Sequence, residues 1–413
     1  MRRHAPTALI LLSAVYLGLG LWVVLVTPYN SFPDEGSHFG YAKYLRMHGR
    51  LPPLSFNTRE ILIPEGFQPP LYYAMGAALL IPPFSSETQV LLLRLLSLLL
   101  GWGTVILVWK CAACVFPERP HAVMLATGFA ALNPQFIFTH AGITNISATD
   151  FTCGLTQLVL LRILSDRSSL LRKSVMLGVC CGLALLSRAT TVFLVPLCLA
   201  VLWHASRSEE GRTLPRLLLA FSAAAFAVAG WWCIRNWIYF GDPFLWKLHQ
   251  STVGAHWARD GGADLLYVAQ SLAFLHASFW AYFGRNEFHA GIVEYAVYLL
   301  IEAIAAWGLV EILRRKEDDP DFQPPAFSRD AFRLQVICAV LLLAEILALQ
   351  LRLSSTQGRY LYMAMPANGI LLSAGIYKAL PRRNRHAGAI LVSAFLLLMC
   401  VYLLVRFWFP HYA

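Results

Sequence analysis

Apolar runs of about 20 residues, roughly what crosses a bilayer, recur from one end of this chain to the other. The first is Thr7 to Thr27, followed by Val90 to Trp109, His121 to His140, Phe151 to Leu164, Leu217 to Trp237, Gly291 to Leu313 and Phe332 to Leu351. Two more lie between Tyr360 and Ala413. Ser174 to Trp203 stands between two basic loops and is too long for one crossing, so it is expected to turn at Ser187-Arg188-Ala189-Thr190. Leu71 to Ile81 is short, stops at Pro82-Pro83, and reads as an interfacial segment. The pattern predicts an all-α polytopic membrane protein with about 11 transmembrane helices in one integral domain. A first external loop (28–89) and an aromatic-rich second external segment (238–290) interrupt the runs. Within the first, Gly36 to Met47 is expected to form a short amphipathic helix that Gly49, Pro52 and Pro53 end.

Composition agrees, with 58% hydrophobic and 14% charged residues. The net charge of +10 first reports topology, because Lys and Arg concentrate in cytoplasmic loops. With Leu71 to Ile81 kept out of the count, Arg2/Arg3, Lys110, Arg119, Arg162 to Lys173, Arg314 to Lys316 and Arg382 to Arg385 share one side. The N-terminus is then cytoplasmic, both long loops are external, and no nucleic-acid partner is needed to explain the charge. Met1-Arg2-Arg3-His4 before a long run without a small-x-small site reads as an uncleaved first helix. The nine cysteines lie in or beside the runs, which argues against a disulfide framework, and Cys111-x-x-Cys114 lacks the second pair a zinc site needs. No internal repeat is visible.

The polar residues of the external side carry the candidate chemistry. Asp34 and Glu35 are suited to general-base work on an acceptor hydroxyl; their structural alternative is to cap the helix that begins near Gly36. Two vicinal carboxylates are too few ligands to assign a metal, so no cofactor is required and a divalent cation stays open. Arg188, Arg235, Arg285 and Arg359 all fall on the same side, where converging guanidinium groups suit an anionic head group. Each alone would equally serve to anchor its helix end at the interface. His38 lies four residues after Asp34, within reach as a partner or as a plain interfacial histidine.

Phe32-Pro33-Asp34-Glu35-Gly36-Ser37-His38-Phe39-Gly40 and Gln68-Pro69-Pro70-Leu71-Tyr72-Tyr73 together resemble the first external loop of GT-C glycosyltransferases, in the protein O-mannosyltransferase and aminoarabinose-transferase branch. Asn133-Pro134-Gln135-Phe136, Asn145 to Asp150, Gly182 to Arg188, Arg235-Asn236-Trp237 with Gly241-Asp242-Pro243, and Gln357-Gly358-Arg359-Tyr360-Leu361 extend the resemblance in order over residues 7–380. It implies an enzyme of the bacterial inner (plasma) membrane with its active site facing the periplasm. That enzyme would move a sugar from a polyprenyl-phosphate donor to an acceptor hydroxyl on lipid, glycan or protein, with inversion. Asp34 matches the family's base, Glu35 its second acid, and Asp150 the acid after the third span. His38, Gln68, Tyr72, Asn145, Tyr360 and the four arginines are implied in binding the donor phosphate or substrate. The chain departs from the family in separating Asn145 from Asp150, which leaves either as the counterpart, and in placing Arg188 where lysine is common. No large external domain follows the last run, so the resemblance leaves acceptor binding to the loops or to another protein. The competing reading is a secondary transporter or lipid flippase, which predicts pseudo-symmetric halves and midplane polarity; a third is a non-catalytic assembly partner.

Overall fold

The polar interruptions become the two ends of a helical bundle. The computed structural model describes residues 4–80, 84–207, 213–255, 259, 264–314, 319–354 and 357–412. Arg2, Arg3, Ile81, Pro82, Pro83, Arg315 to Asp318 and Ala413, which entered the topology argument, lie outside them. Helix α1 (His4–Val26) leads into a loop containing α2 (Glu35–His48) and the nine-residue α3 (Leu71–Leu79). Then come α4 (Ser86–Val115), α5 (Pro120–Ala131), α6 (Pro134–Ala141), α7 (Ile146–Ser165), α8 (Leu170–Ser187), α9 (Leu194–Ser206) and α10 (Thr213–Phe240). The second loop carries α11 (Trp246–Ser251), α12 (Leu265–Trp280) and a two-stranded hairpin, β1 (Tyr282–Phe283) paired with β2 (Phe288–His289). The chain finishes with α13 (Ile292–Arg314), α14 (Arg329–Gln350), α15 (Met365–Ala379) and α16 (Arg385–Leu403).

Among the described residues, eight helical stretches are long and apolar enough to cross a membrane, and counting the bent pair α5–α6 as one span gives nine. The chain is an integral membrane protein. The two other expected spans are helices as well, α7 and α15, but one is too polar and the other, at 15 residues, too short to meet the same standard. Both are buried among neighbours, where helix–helix contacts replace lipid. The bend of 52° between α5 and α6 has a local cause. Pro134 has no N–H to continue the ladder, and Asn133 restarts the helix by accepting from the Phe136 N–H at 2.9 Å.

Two sequence expectations are met in detail. The Ser174 to Trp203 run breaks after Ser187, with Arg188 extended, a 3-10 turn at Ala189–Phe193, and α9 returning. The interfacial helix ends where Gly49 adopts φ +61° and its N–H closes on Leu45 O. One feature was not expected: the second external segment holds the apolar 16-residue α12. Tyr267 Oη at its start donates to Gln350 O at the end of α14, while Phe279 O near its finish accepts from Asn133 Nδ2 at the α5–α6 break. The hairpin then returns the chain to α13.

Helix directions define two ends. One carries the loops after α1, α8, α10 and α14; the other carries those after α4, α13 and α15. At the second end Asp319, 1% exposed at its side chain, pairs with Arg385 at 2.7 Å, Lys378 at 3.0 Å and Arg382 at 3.5 Å. Asp321 adds Arg385 at 2.6 Å and Arg119 at 2.8 Å. These pairs tie the turns before α5, α14 and α16 together.

Candidate active site

The two adjacent carboxylates point in opposite directions. Asp34 sits in the left-handed region, φ 59° and ψ 10°, just before α2 begins. That conformation costs an L-residue about 1 kcal/mol, less for Asp than for most. It sends the Asp34 side chain outward, while Glu35, the first helical residue, turns toward α4.

Glu35 is fully buried against Arg94, which is 4% exposed. Arg94 Nε and Nη2 donate to the Glu35 carboxylate at 2.7 and 3.0 Å. Its remaining N–H groups reach Val24 O, Thr27 O and Pro28 O at 3.0, 2.7 and 2.9 Å. The guanidinium also lies 4.9 Å from the Phe32 ring. All five donors are used, and they satisfy carbonyls left open at the end of α1. Glu35 further accepts from the Asn30 N–H at 2.7 Å. This corrects the expectation that Glu35 shares the site with Asp34: it is half of a buried ion pair that fixes the loop to α1 and α4. Arg94, inside an apolar run, carried no sequence signal of its own.

Asp34 opens into a cavity of about 520 Å³ between the two loops and the ends of α7, α8 and α14. Of the residues expected at the site, His38, Gln68, Asn145, Arg188, Arg285, Arg359 and Tyr360 join Asp34 in lining it. Arg359 Nη2 stands 3.7 Å from Asp34 Oδ2, whose side chain is 55% exposed, so the contact is long and open to a ligand. Arg188 rests over the Tyr360 ring at 4.4 Å and makes no ion pair among the described residues. Its backbone is held where Asn145 Nδ2 donates to Ser187 O at 3.4 Å, joining α7 to the end of α8. Arg359 is placed by Gly358, whose N–H donates to Ser278 Oγ at 2.7 Å. A side chain on Gly358 would strike the α12 backbone at Leu275 and Phe279, so only glycine lets this turn lie so close.

His38 packs behind Asp34, its Nδ1 2.8 Å from Tyr73 Oη. Tyr73 stacks on Tyr41 at 3.8 Å between ring centroids. Burial pushes the His38 imidazole down to about 4, against the opposing pull of Asp34, so it is neutral near pH 7. The cavity also contains an acid that had been given no role, Glu65. Its N–H donates to Ser37 Oγ at 2.9 Å, which seats it opposite the start of α2. Burial raises the Glu65 carboxyl to about 7, helped by the nearby Asp34 charge and opposed by a hydrogen bond from Gln68.

Three further expected residues lie off the cavity. Asp150 is fully buried with its Oδ2 3.3 Å from His140 Nε2. Five residues along an α-helix turn through about 500°, which puts Asp150 about 140° around from Asn145, so the two cannot share a face. Tyr72 faces α4, its hydroxyl 2.7 Å from Ser97 Oγ. Arg235 donates to Asn236 Oδ1 at 2.8 Å and lies between Tyr239 and Phe240. The motif that follows it shapes the second loop: Asp242 accepts from the Phe244 and Lys247 N–H groups at 3.0 and 2.7 Å.

Of the five non-glycine residues with positive φ among those described, Asp34, Leu245 and Asn286 line the cavity. Such strain gathers where surrounding structure holds a functional geometry. As for a metal, the described residues hold no group of three or more His, Cys, Asp or Glu side chains arranged to ligate one.

Solved structures decide the fold. ArnT from Cupriavidus metallidurans, bound to undecaprenyl phosphate, matches with a TM-score of 0.55 and 14% identity, over 97% of this chain and 66% of that one. The archaeal oligosaccharyltransferase AglB from Archaeoglobus fulgidus, in complex with an inhibitory peptide and a dolichol-phosphate, matches at 0.60 and 13%, over 97% and 55%. The chain has the GT-C fold. Arabinosyltransferase EmbB from Mycobacterium smegmatis shares it at 0.53 and 14%, over 96% of this chain and 38% of its own. The chain spans about two-thirds of the length of ArnT and about half that of AglB. No family model and no curated protein matches the sequence.

Proposed function

We propose that this chain is a membrane glycosyltransferase that moves a sugar from a polyprenyl-phosphate donor to an acceptor hydroxyl. The observation that carries the reading is Asp34, aimed into a cavity beside three guanidinium groups of which Arg188 and Arg285 make no ion pair among the described residues. An anionic ligand complements that arrangement, and the ArnT and AglB structures that share the fold hold undecaprenyl phosphate and dolichol-phosphate.

In the proposed reaction the acceptor oxygen bonds to the anomeric carbon as the bond from that carbon to the phosphate oxygen breaks. The hydroxyl proton passes to Asp34, and the departing electron pair stays on the lipid phosphate. Attack opposite the leaving group inverts the anomeric centre. Arg188, Arg285 and Arg359 offset the charge that grows on the phosphate, where preorganised donors act most strongly. The cavity faces away from the cytoplasm in this reading, because Arg119, Arg172, Lys173, Lys378, Arg382 and Arg383 gather at the opposite end. The transporter alternative has less support, since the unpaired charge collects at one end and not at the midplane.

Mass spectrometry of envelope lipids, glycans and proteins tests the proposal in cells carrying either the wild-type chain or Asp34→Asn. A specific glycosylated species is expected to vanish in the variant while the protein stays in the membrane at its normal level. An unchanged profile would count against the reading.

A further inference from the structure

The cavity has two chemically different halves. One is the arginine half. The other joins the two loops: the Phe67 ring lies 4.6 Å from His249, and the Trp246 ring lies 6.2 Å from the same imidazole. Glu65 and Gln68 stand on the same loop as Phe67, and all five side chains line the cavity. We propose that this second half is the subsite for the sugar ring itself, with Glu65 accepting hydrogen bonds from vicinal hydroxyls and Trp246 packing against the C–H face.

The chemistry fits a polyol better than an anion. Near neutral pH the Glu65 carboxyl, raised to about 7, accepts hydroxyl protons when ionised and donates one when protonated, and the Gln68 amide likewise both donates and accepts. Burial, and secondarily Arg188, lowers the His249 imidazole to about 4. It is therefore neutral near pH 7, with one ring nitrogen to donate and one to accept. The aromatic faces supply apolar contact of fixed geometry. The construction of the loop supports the assignment. Leu245, a bulky residue held at φ 58°, starts the helix that carries Trp246 and His249, and the Asp242 clamp fixes the turn before it. The ring belongs to the donor and not to the acceptor: Arg188 lines the same cavity as Glu65 and His249, so the sugar subsite adjoins the phosphate subsite.

The inference rests on the glycosyltransferase reading, and the experiment separates the two. Affinities are measured in lipid nanodiscs for undecaprenyl phosphate, for undecaprenyl-phosphoryl hexoses, pentoses and amino sugars, and for free methyl glycosides. In the wild type, at least one lipid-linked sugar is expected to bind tenfold or more tightly than undecaprenyl phosphate alone. Glu65→Gln and Trp246→Ala are expected to erase that increment while binding undecaprenyl phosphate no more weakly than the wild type, which also shows the cavity intact. Three results overturn the subsite: no increment for any sugar, an increment that survives both variants, or a loss of undecaprenyl phosphate affinity equal to the loss for the sugar-linked lipids. Free glycosides that bind in a Glu65-dependent way, with no lipid-linked increment, would assign the half to the acceptor and overturn the donor assignment. A wild type that binds no polyprenyl phosphate at all would instead sink the proposed function.

Discussion

Arginine is used in two opposite ways at the two ends of this molecule. At the end away from the cavity, Arg385 and Arg119 find carboxylates within 2.8 Å, and Lys378 and Arg382 share Asp319 with Arg385. In the cavity, Arg188 has an aromatic ring for company and Arg359 reaches a carboxylate only at 3.7 Å. Both ends gather positive charge, and the Arg94–Glu35 pair is neutralised beside the cavity, yet within the cavity Arg188 and Arg285 find no carboxylate partner among the described residues. The difference teaches which charges hold the bundle and which await a ligand. A buried pair is costly to break because the survivor stays buried, whereas removing an unpaired surface-facing cation costs the fold little.

The comparison breaks most visibly at the paired groups. Arg94→Met strands Glu35, which is fully buried, and is expected to cost about 4 kcal/mol, read as a lower unfolding midpoint in detergent. Asp319→Asn removes the carboxylate shared by Arg385 and Lys378, with an expected loss of about 3 kcal/mol. The same group predicts an acid limit. Burial works against its ionisation, but hydrogen bonds and charge from Arg385 and Lys378 win and hold Asp319 well below the usual carboxylate range. Its stabilisation is therefore full above about pH 4 and lost as pH falls through the depressed folded-state value, so the wild type and Asp319→Asn should converge in stability as the buffer is acidified.

How much of this was legible beforehand depends on whether the signal was local. The apolar runs, the break at Ser187-Arg188 and the amphipathic α2 follow from neighbouring residues, and each is where the pattern placed it. Glu35 and Arg94 are 59 positions apart, and nothing near either names the other. Their pairing exists only because α1 and α4 pack together. Asp150 shows the limit of reading a role along a line: helical rotation carries it behind Asn145 to His140. Glu65 stands three residues before the Gln68-Pro69-Pro70 motif and carried no signal of its own, because only the folded loop brings it into the cavity with Asp34. Helix α12 was hidden by its length, 16 residues, below that of a full span.

Smaller effects sharpen the unpaired side. Arg188→Ala is expected to weaken undecaprenyl phosphate binding about tenfold, or about 1.4 kcal/mol, while shifting stability by less than about 0.5 kcal/mol. A matching loss of stability would move Arg188 into the paired class. Glu65 gives an effect that appears only as the pH is changed. Its folded-state value of about 7 lies above the unfolded one, so its proton-linked stability is full below about pH 4 and lost as pH rises through about 7. Between pH 5 and pH 8 the wild type should lose stability relative to Glu65→Gln, seen as diverging unfolding midpoints.

The most direct measurement is sugar transfer by purified Asp34→Asn beside the wild type, added to native membranes that lack the chain and supply donor and acceptor. The account predicts transfer reduced about 100-fold or more, with the unfolding midpoint and undecaprenyl phosphate binding retained. Transfer at the wild-type rate would contradict it.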